Sequence, residues 1–233
     1  AFHRFAAEDE RLGPLADRFR GMRPPRFASV FEGVVNSIAC QQVSLTVGIL
    51  LLNRLAKRCG PAFDGKEDPA YAFPTPERLA AFEPETLRKL GFSLQKGRAI
   101  IEAARSAAEG TDALRGLEDL PDDEAAARLC SLRGIGRWSA EYILLRALGR
   151  MNVFPGDDVG ARNNLQRWLD LTDALDYDAV GLALDRWRPY KGLIYFHLLL
   201  DHLAEAGLVQ ANPPRPRPDH EDRREEEDVD SRS

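Results

Sequence analysis

The chain reads as an all-α protein, and three observations say so. Apolar residues recur at helical spacing through most of its 233 positions. Capping residues bracket segment after segment. No stretch alternates apolar and polar side chains in the manner of a half-buried strand.

The elements follow in order. Ser29 and Glu32 read as a capping box ahead of "VFEGVVNSIACQQVSLTVGILLLNRLAKRCG", in which Phe31, Val34, Val35 and Ile38 share one face. This predicts one long helix, with Gly48 marking a break inside it. Residues 60–74 read as a polar loop. Thr75 caps a helix that has Pro76 at its first position, and "PETLRKLG" is a short helix closed by Gly91. "SLQKGRAIIEAARSAAEG" is a further helix ending near Gly110. The next opens at Asp122 and runs to about Leu132, and "RWSAEYILLRALG" follows it to Gly149. A helix starts at or near Asp158, another lies in "DYDAVGLALDRW" before Pro189, and "YKGLIYFHLLLDHLAEAG" is the last. "NPPRPRP" then breaks regular structure, and residues 212–233 read as a Pro-rich, then acidic, disordered tail. In all, about ten helices are expected and no strand.

Composition narrows the function classes. No run of about 18 apolar residues is present, and "AFHRFAAEDE" lacks the layout of a signal peptide, which predicts a cytoplasmic protein with no membrane partner. Cys40, Cys59 and Cys130 fit neither a disulfide framework nor a zinc or iron–sulfur spacing, as free thiols in a reducing compartment would. The net charge is −5, and residues 219–233 carry all of it. The rest of the chain is neutral, which permits a basic face without demanding one.

"LRGIGRWSAEY" places Gly134 and Gly136 in a short turn between two helices. Glycine supplies the unusual backbone angles of such a turn and lets another backbone come close. The free amides at the start of the next helix, with the positive end of its dipole, make an anion site that a nucleic-acid phosphate fits. Gly-x-Gly alone serves a plain tight αα-hairpin equally well. Trp138 and Tyr142 lie at i and i+4, as stacking residues or as core aromatics. Asp157 and Asp158 stand at a helix start, where an N-cap is the simplest use of either.

Five segments together resemble a known family. "FEGVVNSIACQQVS", "LGFSLQKGRAI", "LRGIGRWSAEYILLRALG", "DDVG" and "RWRPYKGLIYFHLLL" appear in the order seen in helix–hairpin–helix DNA glycosylases, and are most similar to the bacterial 3-methyladenine DNA glycosylase II type. The likeness covers roughly residues 27–205. It implies two helical subdomains with a cleft between them. One is residues 1–35 together with 151–211; the other is 36–150, with the helix–hairpin–helix at about 122–148.

The resemblance also assigns roles. Asp158 matches the catalytic carboxylate, which stabilises the oxocarbenium-like sugar formed as the N-glycosidic bond breaks. Trp138, Tyr142 and Leu199 line the pocket for a flipped base. Arg133, Gly134, Ile135, Gly136 and Arg137 form the hairpin that holds the DNA backbone, and Gln42 is the wedge that enters the gap left by the base. Bifunctional relatives carry a lysine nucleophile where this chain has Trp138, so the expected enzyme is monofunctional and leaves an abasic site. Two positions depart from the branch: Leu199 stands where it has a tryptophan, and Gln42 where it has an apolar wedge. No metal takes part in the expected chemistry, although a sodium or potassium ion at the hairpin carbonyls is implied when DNA is bound. With no cysteine between Leu193 and Ser233, the iron–sulfur loop of the endonuclease III branch is not expected. The short segment before residue 27 leads us to expect no extra N-terminal α+β domain. His197 is read as a structural histidine. The expected partner is double-stranded DNA containing damaged bases, met by a monomer in the nucleoid.

Overall fold

The computed structural model describes residues 1–63, 69–110 and 114–213, so the expected tail lies outside the described residues from position 214 onward. The chain divides into two compact units, Ala1–Met22 with the C-terminal chain from Leu200, and Arg23–Leu199. These boundaries differ from the subdomain limits expected near residues 35 and 150.

In the smaller unit, α1 (Phe2–Ala7) and α2 (Leu12–Arg18) precede the end of α12 (Lys191–Glu205). The Asp9 carboxylate accepts from the Arg11 and Leu12 amides at 3.0 and 2.8 Å, which caps α2. Arg18 pairs with Asp201, and the Asn212 amide donates to the Arg18 carbonyl at 2.7 Å. Neither short N-terminal helix was expected from the sequence.

The larger unit contains α3 (Val30–Cys40), α4 (Leu45–Cys59), α5 (Pro76–Ala80), α6 (Pro84–Lys89), α7 (Leu94–Glu109), α8 (Asp122–Cys130), α9 (Arg137–Ile143), α10 (Val159–Trp168) and α11 (Tyr177–Ala183). A π-helical stretch, Leu144–Leu148, continues α9. The expected caps are formed: Ser29 Oγ accepts from the Glu32 amide at 3.1 Å and Thr75 Oγ1 from the Arg78 amide at 3.4 Å. The predicted apolar face of α3 (Phe31, Val34, Val35, Ile38) is buried against Leu51 and Leu55 of α4, Ile100 and Ile101 of α7 and Ile143 of α9. This core fixes where α9 begins, and so where its first residues point.

Two expectations need correction. The long helix does not break at Gly48 but at residues 41–44, between α3 and α4. Gln42 takes a left-handed backbone there (φ 53°), and Ser44 Oγ caps α4 through the Val47 amide at 3.4 Å. Gly48 lies inside α4, where a Cβ would stand 2.7 Å from Cys40 Sγ, so its smallness admits the end of α3 rather than a kink. The all-α expectation also omitted a small antiparallel pair in the polar loop, β1 (Ala62–Phe63) with β2 (Ala70–Tyr71), in register Ala62 to Tyr71.

Candidate active site

The turn between α8 and α9 carries both glycines. Gly134 has φ 79°, a conformation that costs an L-residue about 1–2 kcal/mol, and a Cβ there would meet Ala99 Cβ at 3.0 Å. Gly136 differs: its backbone is extended, and a Cβ would meet nothing within 4 Å. The fold therefore uses Gly134, while Gly136 faces open space. Gly136 is also the N-cap of α9 and offers no side chain to the orphan amides of the first turn. Those donors point outward at the positive end of the helix. Ile135 between the glycines is buried and anchors the turn in the core.

Residues of α9 meet the loop that follows Phe154. Asp158 is the N-cap of α10, with Oδ1 accepting from the Ala161 amide at 2.9 Å. Its Oδ2 accepts two further bonds, from Trp138 Nε1 at 3.2 Å and from the Tyr195 hydroxyl at 3.1 Å. Capping and a functional carboxylate are thus not alternatives here, because one oxygen caps while the other is gathered by two side chains. Burial, with Asp158 next in effect, pushes the Tyr195 phenol well above its ordinary pKa, so it stays a donor at physiological pH.

The aromatic pair is also assembled. The rings of Trp138 and Tyr142 stack at 5.3 Å with an interplanar angle of 22°. Phe27 lies against Tyr142 at 6.0 Å, and the Arg146 guanidinium is 5.5 Å from the Tyr142 ring and 5.0 Å from that of Phe27. Leu199 is half-buried on α12 one helical turn beyond Tyr195, and so shares its face. His197 Nδ1 is 2.7 Å from the Leu193 carbonyl, as a structural histidine would be.

Gln42 is exposed, and its neighbours tie it to the hairpin. Gln41 Nε2 donates to the Gly134 carbonyl at 2.7 Å and to Ser139 Oγ at 2.9 Å. Lys96 Nζ donates to the carbonyls of Ala39 and Gln41 at 3.0 and 2.6 Å, neutralising the C-terminal end of α3. The two hairpin arginines face protein carboxylates. Arg133 pairs with Glu102 at 2.9 Å, and Arg137 forms a fork with Asp157 at 2.6 and 3.0 Å. Both pairs are solvent-exposed and worth at most about 1 kcal/mol each, so a phosphate can compete for either arginine. Among the hairpin carbonyls, Leu132 accepts from the Ile135 amide and Gly134 from Gln41. Each carbonyl oxygen has two lone pairs, one of which these bonds do not use.

Tyr195, Gln41, Lys96 and Phe27 carry no role in the sequence reading, although Gln41 and Lys96 lie within the segments that resemble the family. The helical spacing of Tyr195 and Leu199 was the one available signal for the first of them. Among the described residues no helix is long and apolar enough to cross a membrane, and no cluster of three metal-ligating side chains exists.

A helical hairpin with uncapped amides, and an aspartate held beside stacked rings, define a class of nucleic-acid-handling helical proteins. The chain belongs to the HhH-GPD superfamily of base excision DNA repair proteins, whose profile matches residues 35–189. It is 34% identical over 190 residues to DNA-3-methyladenine glycosylase 2 of Escherichia coli (strain K12), covering 80% of this chain and 63% of that protein. It is 33% identical over 170 residues to putative DNA-3-methyladenine glycosylase YfjP of Bacillus subtilis (strain 168), covering 73% of this chain and 58% of that one. The chain therefore spans less than two thirds of the length of these curated relatives. The solved structure of a 3-methyladenine DNA-glycosylase from Archaeoglobus fulgidus matches with a TM-score of 0.77 at 33% identity, over 89% of this chain and 70% of that chain.

Proposed function

We propose that the chain is a monofunctional DNA glycosylase that removes alkylated bases, 3-methyladenine and 7-methylguanine among them, from double-stranded DNA. The observation that carries this reading is the convergence of Trp138 and Tyr195 on one oxygen of Asp158, next to the stacked Trp138 and Tyr142 rings. A base inside a duplex cannot reach such a site, so the nucleotide is flipped out. The electron-deficient alkylated ring stacks on the aromatic wall. Gln42 enters the vacated space and can hydrogen-bond the orphaned partner base. The uncapped amides at the start of α9 hold a backbone phosphate, with a monovalent cation at the neighbouring carbonyls.

The reaction needs little acid catalysis, because an alkylated purine already carries positive charge. As the C1′–N bond breaks, its electron pair leaves with the base and neutralises it. Positive charge develops on the sugar, and the fixed Asp158 carboxylate stabilises it. A water oxygen then bonds to C1′ and its proton passes to Asp158 and on to solvent. With its orientation set by three hydrogen bonds, Asp158 reorganises little during this step. Trp138 fills the position of a lysine nucleophile, which supports hydrolysis without strand cleavage.

The test is release of free base from methylated duplex DNA, run with and without borohydride. Released 3-methyladenine or 7-methylguanine, an intact abasic strand and no trapped protein–DNA adduct are expected. No released base, or efficient trapping, overturns the reading.

A further inference from the structure

Glu141 is a buried carboxyl that the chemistry above does not use, at 9% exposure. Burial pushes its pKa above the ordinary glutamate value, so keeping a carboxyl there carries a desolvation cost. What the acid supplies is acceptors. Oε2 accepts from the Gly156 amide at 3.0 Å, and Oε1 from the Tyr177 hydroxyl at 2.5 Å.

Those bonds land on the turn that presents Asp158. The Asp158 amide closes back on the Pro155 carbonyl at 3.0 Å, so residues 155–158 form one tight turn. The Tyr177 ring lies directly on Gly156, where a Cβ would stand 2.7 Å from Cδ2. The other contact of Tyr177 is Arg137, whose guanidinium is 3.6 Å from the ring centroid while it grips Asp157. Arg137 and Glu141 are thus one turn apart on α9 and hold consecutive residues of the turn, Asp157 and Gly156.

We infer that Glu141 is a positioning residue: through the Gly156 amide, and with Tyr177 as its brace, it sets the turn that aims Asp158 at the sugar. The inference rests on the reading of Asp158 as the catalytic carboxylate. It requires an acceptor at position 141, not a charge.

The test compares Glu141→Leu, Glu141→Gln and Tyr177→Phe in the full chain. Three readouts are taken: single-turnover base release, affinity for duplex DNA bearing a tetrahydrofuran abasic analogue, and hydrogen exchange at the Gly156 amide. Glu141→Leu is expected to lower the cleavage rate about 10²-fold, the scale of a misplaced catalytic group, with DNA affinity nearly unchanged and faster exchange at Gly156. Glu141→Gln, which keeps an acceptor, is expected to restore most of the rate and the protection. Tyr177→Phe keeps the ring on Gly156 and is expected to fall between the two. Glu141→Leu with wild-type rate and protection overturns the inference, as does Glu141→Gln impaired as badly as the leucine. Should Glu141→Leu not fold, Tyr177→Phe decides: wild-type rate and exchange overturn the inference, a slower rate at unchanged affinity supports it. If wild type releases no base, the proposed function fails, and exchange at Gly156 still judges the anchoring separately.

Discussion

The two flanks of α9 differ in what they do with the same spacing. On one flank Trp138 and Tyr142, at i and i+4, stack on each other and present an indole N–H to Asp158. On the other, Arg137 and Glu141, also at i and i+4, hold Asp157 and the Gly156 amide. The first flank is aromatic and aimed at the space where the proposed reaction occurs. The second is charged, braced by Tyr177, and aimed at the back of the turn. Two interleaved pairs in "RWSAEY" therefore serve both the reacting side of a loop and its support. Substitutions on the first flank should alter chemistry with little effect on stability, and those on the second should act through geometry.

The largest expected effect is at the carboxylate that the first flank faces. Asp158→Asn keeps an N-cap acceptor for Ala161, removes the charge and turns an amide NH2 toward the Trp138 indole and Tyr195 hydroxyl, so base release should fall about 10²–10³-fold with a moderate drop in melting temperature. A large loss of stability would mean that the carboxylate serves the fold first. Tyr195→Phe should come next. It removes one donor to Asp158, a contact worth about 1.5 kcal/mol, so the rate should drop about tenfold in a single-turnover assay.

The hairpin that leads into both flanks offers an intermediate test. Gly136→Ala meets no atom within 4 Å, so stability should change by less than about 0.5 kcal/mol while DNA affinity falls several-fold. Gly134→Ala should do the opposite, costing about 1–2 kcal/mol through its φ of 79°, read as a lowered denaturation midpoint. Equal behaviour of the two alanines would remove the distinction between an inward and an outward glycine.

The smallest effect is a pH dependence of stability on the second flank. A carboxyl whose folded pKa is raised contributes stability below its unfolded value, and loses it as pH rises through the folded one. Glu141 is raised by burial, so Glu141→Gln should gain stability relative to wild type as pH climbs from the acid range toward neutrality. Melting curves at several pH values check this, and a Glu141→Gln variant that loses stability relative to wild type as pH rises contradicts it.

Much of this arrangement was legible in the sequence, and the reasons for the rest are physical. The caps at Ser29, Thr75 and Asp158 are local signals, and each forms its bond. The helical breaks are harder. Gln42 adopts positive φ without being glycine, so the α3–α4 junction is marked by the Ser44 cap rather than by a glycine, whereas Gly48 looks like a breaker and is a packing residue. The N-terminal helices are six and seven residues long, too short for a periodic pattern, and α2 contains both Gly13 and Pro14. In the site, Asp158, Trp138 and Tyr142 were readable because they lie in one motif or match a family pattern. Tyr195 and Tyr177 were not, since an aromatic on a helix face reads as core until its hydroxyl partner is known. Glu141 reads as a solvated helix residue, because only the fold brings the Gly156 amide to it.

The Gln41 side chain has one more consequence. Its single amide group is bonded to the hairpin turn and to the first turn of α9, while its backbone is the immediate neighbour of Gln42. Its carbonyl is held in turn by Lys96. The hairpin turn and the loop that carries Gln42 are thus mechanically one part. A protein that slid along a duplex with these two elements in contact would measure a fixed offset between a phosphate and the adjacent base stack, like a caliper with a locked jaw. A stack that yields at that offset would be recognised by how easily it opens, before any atom of the base is read.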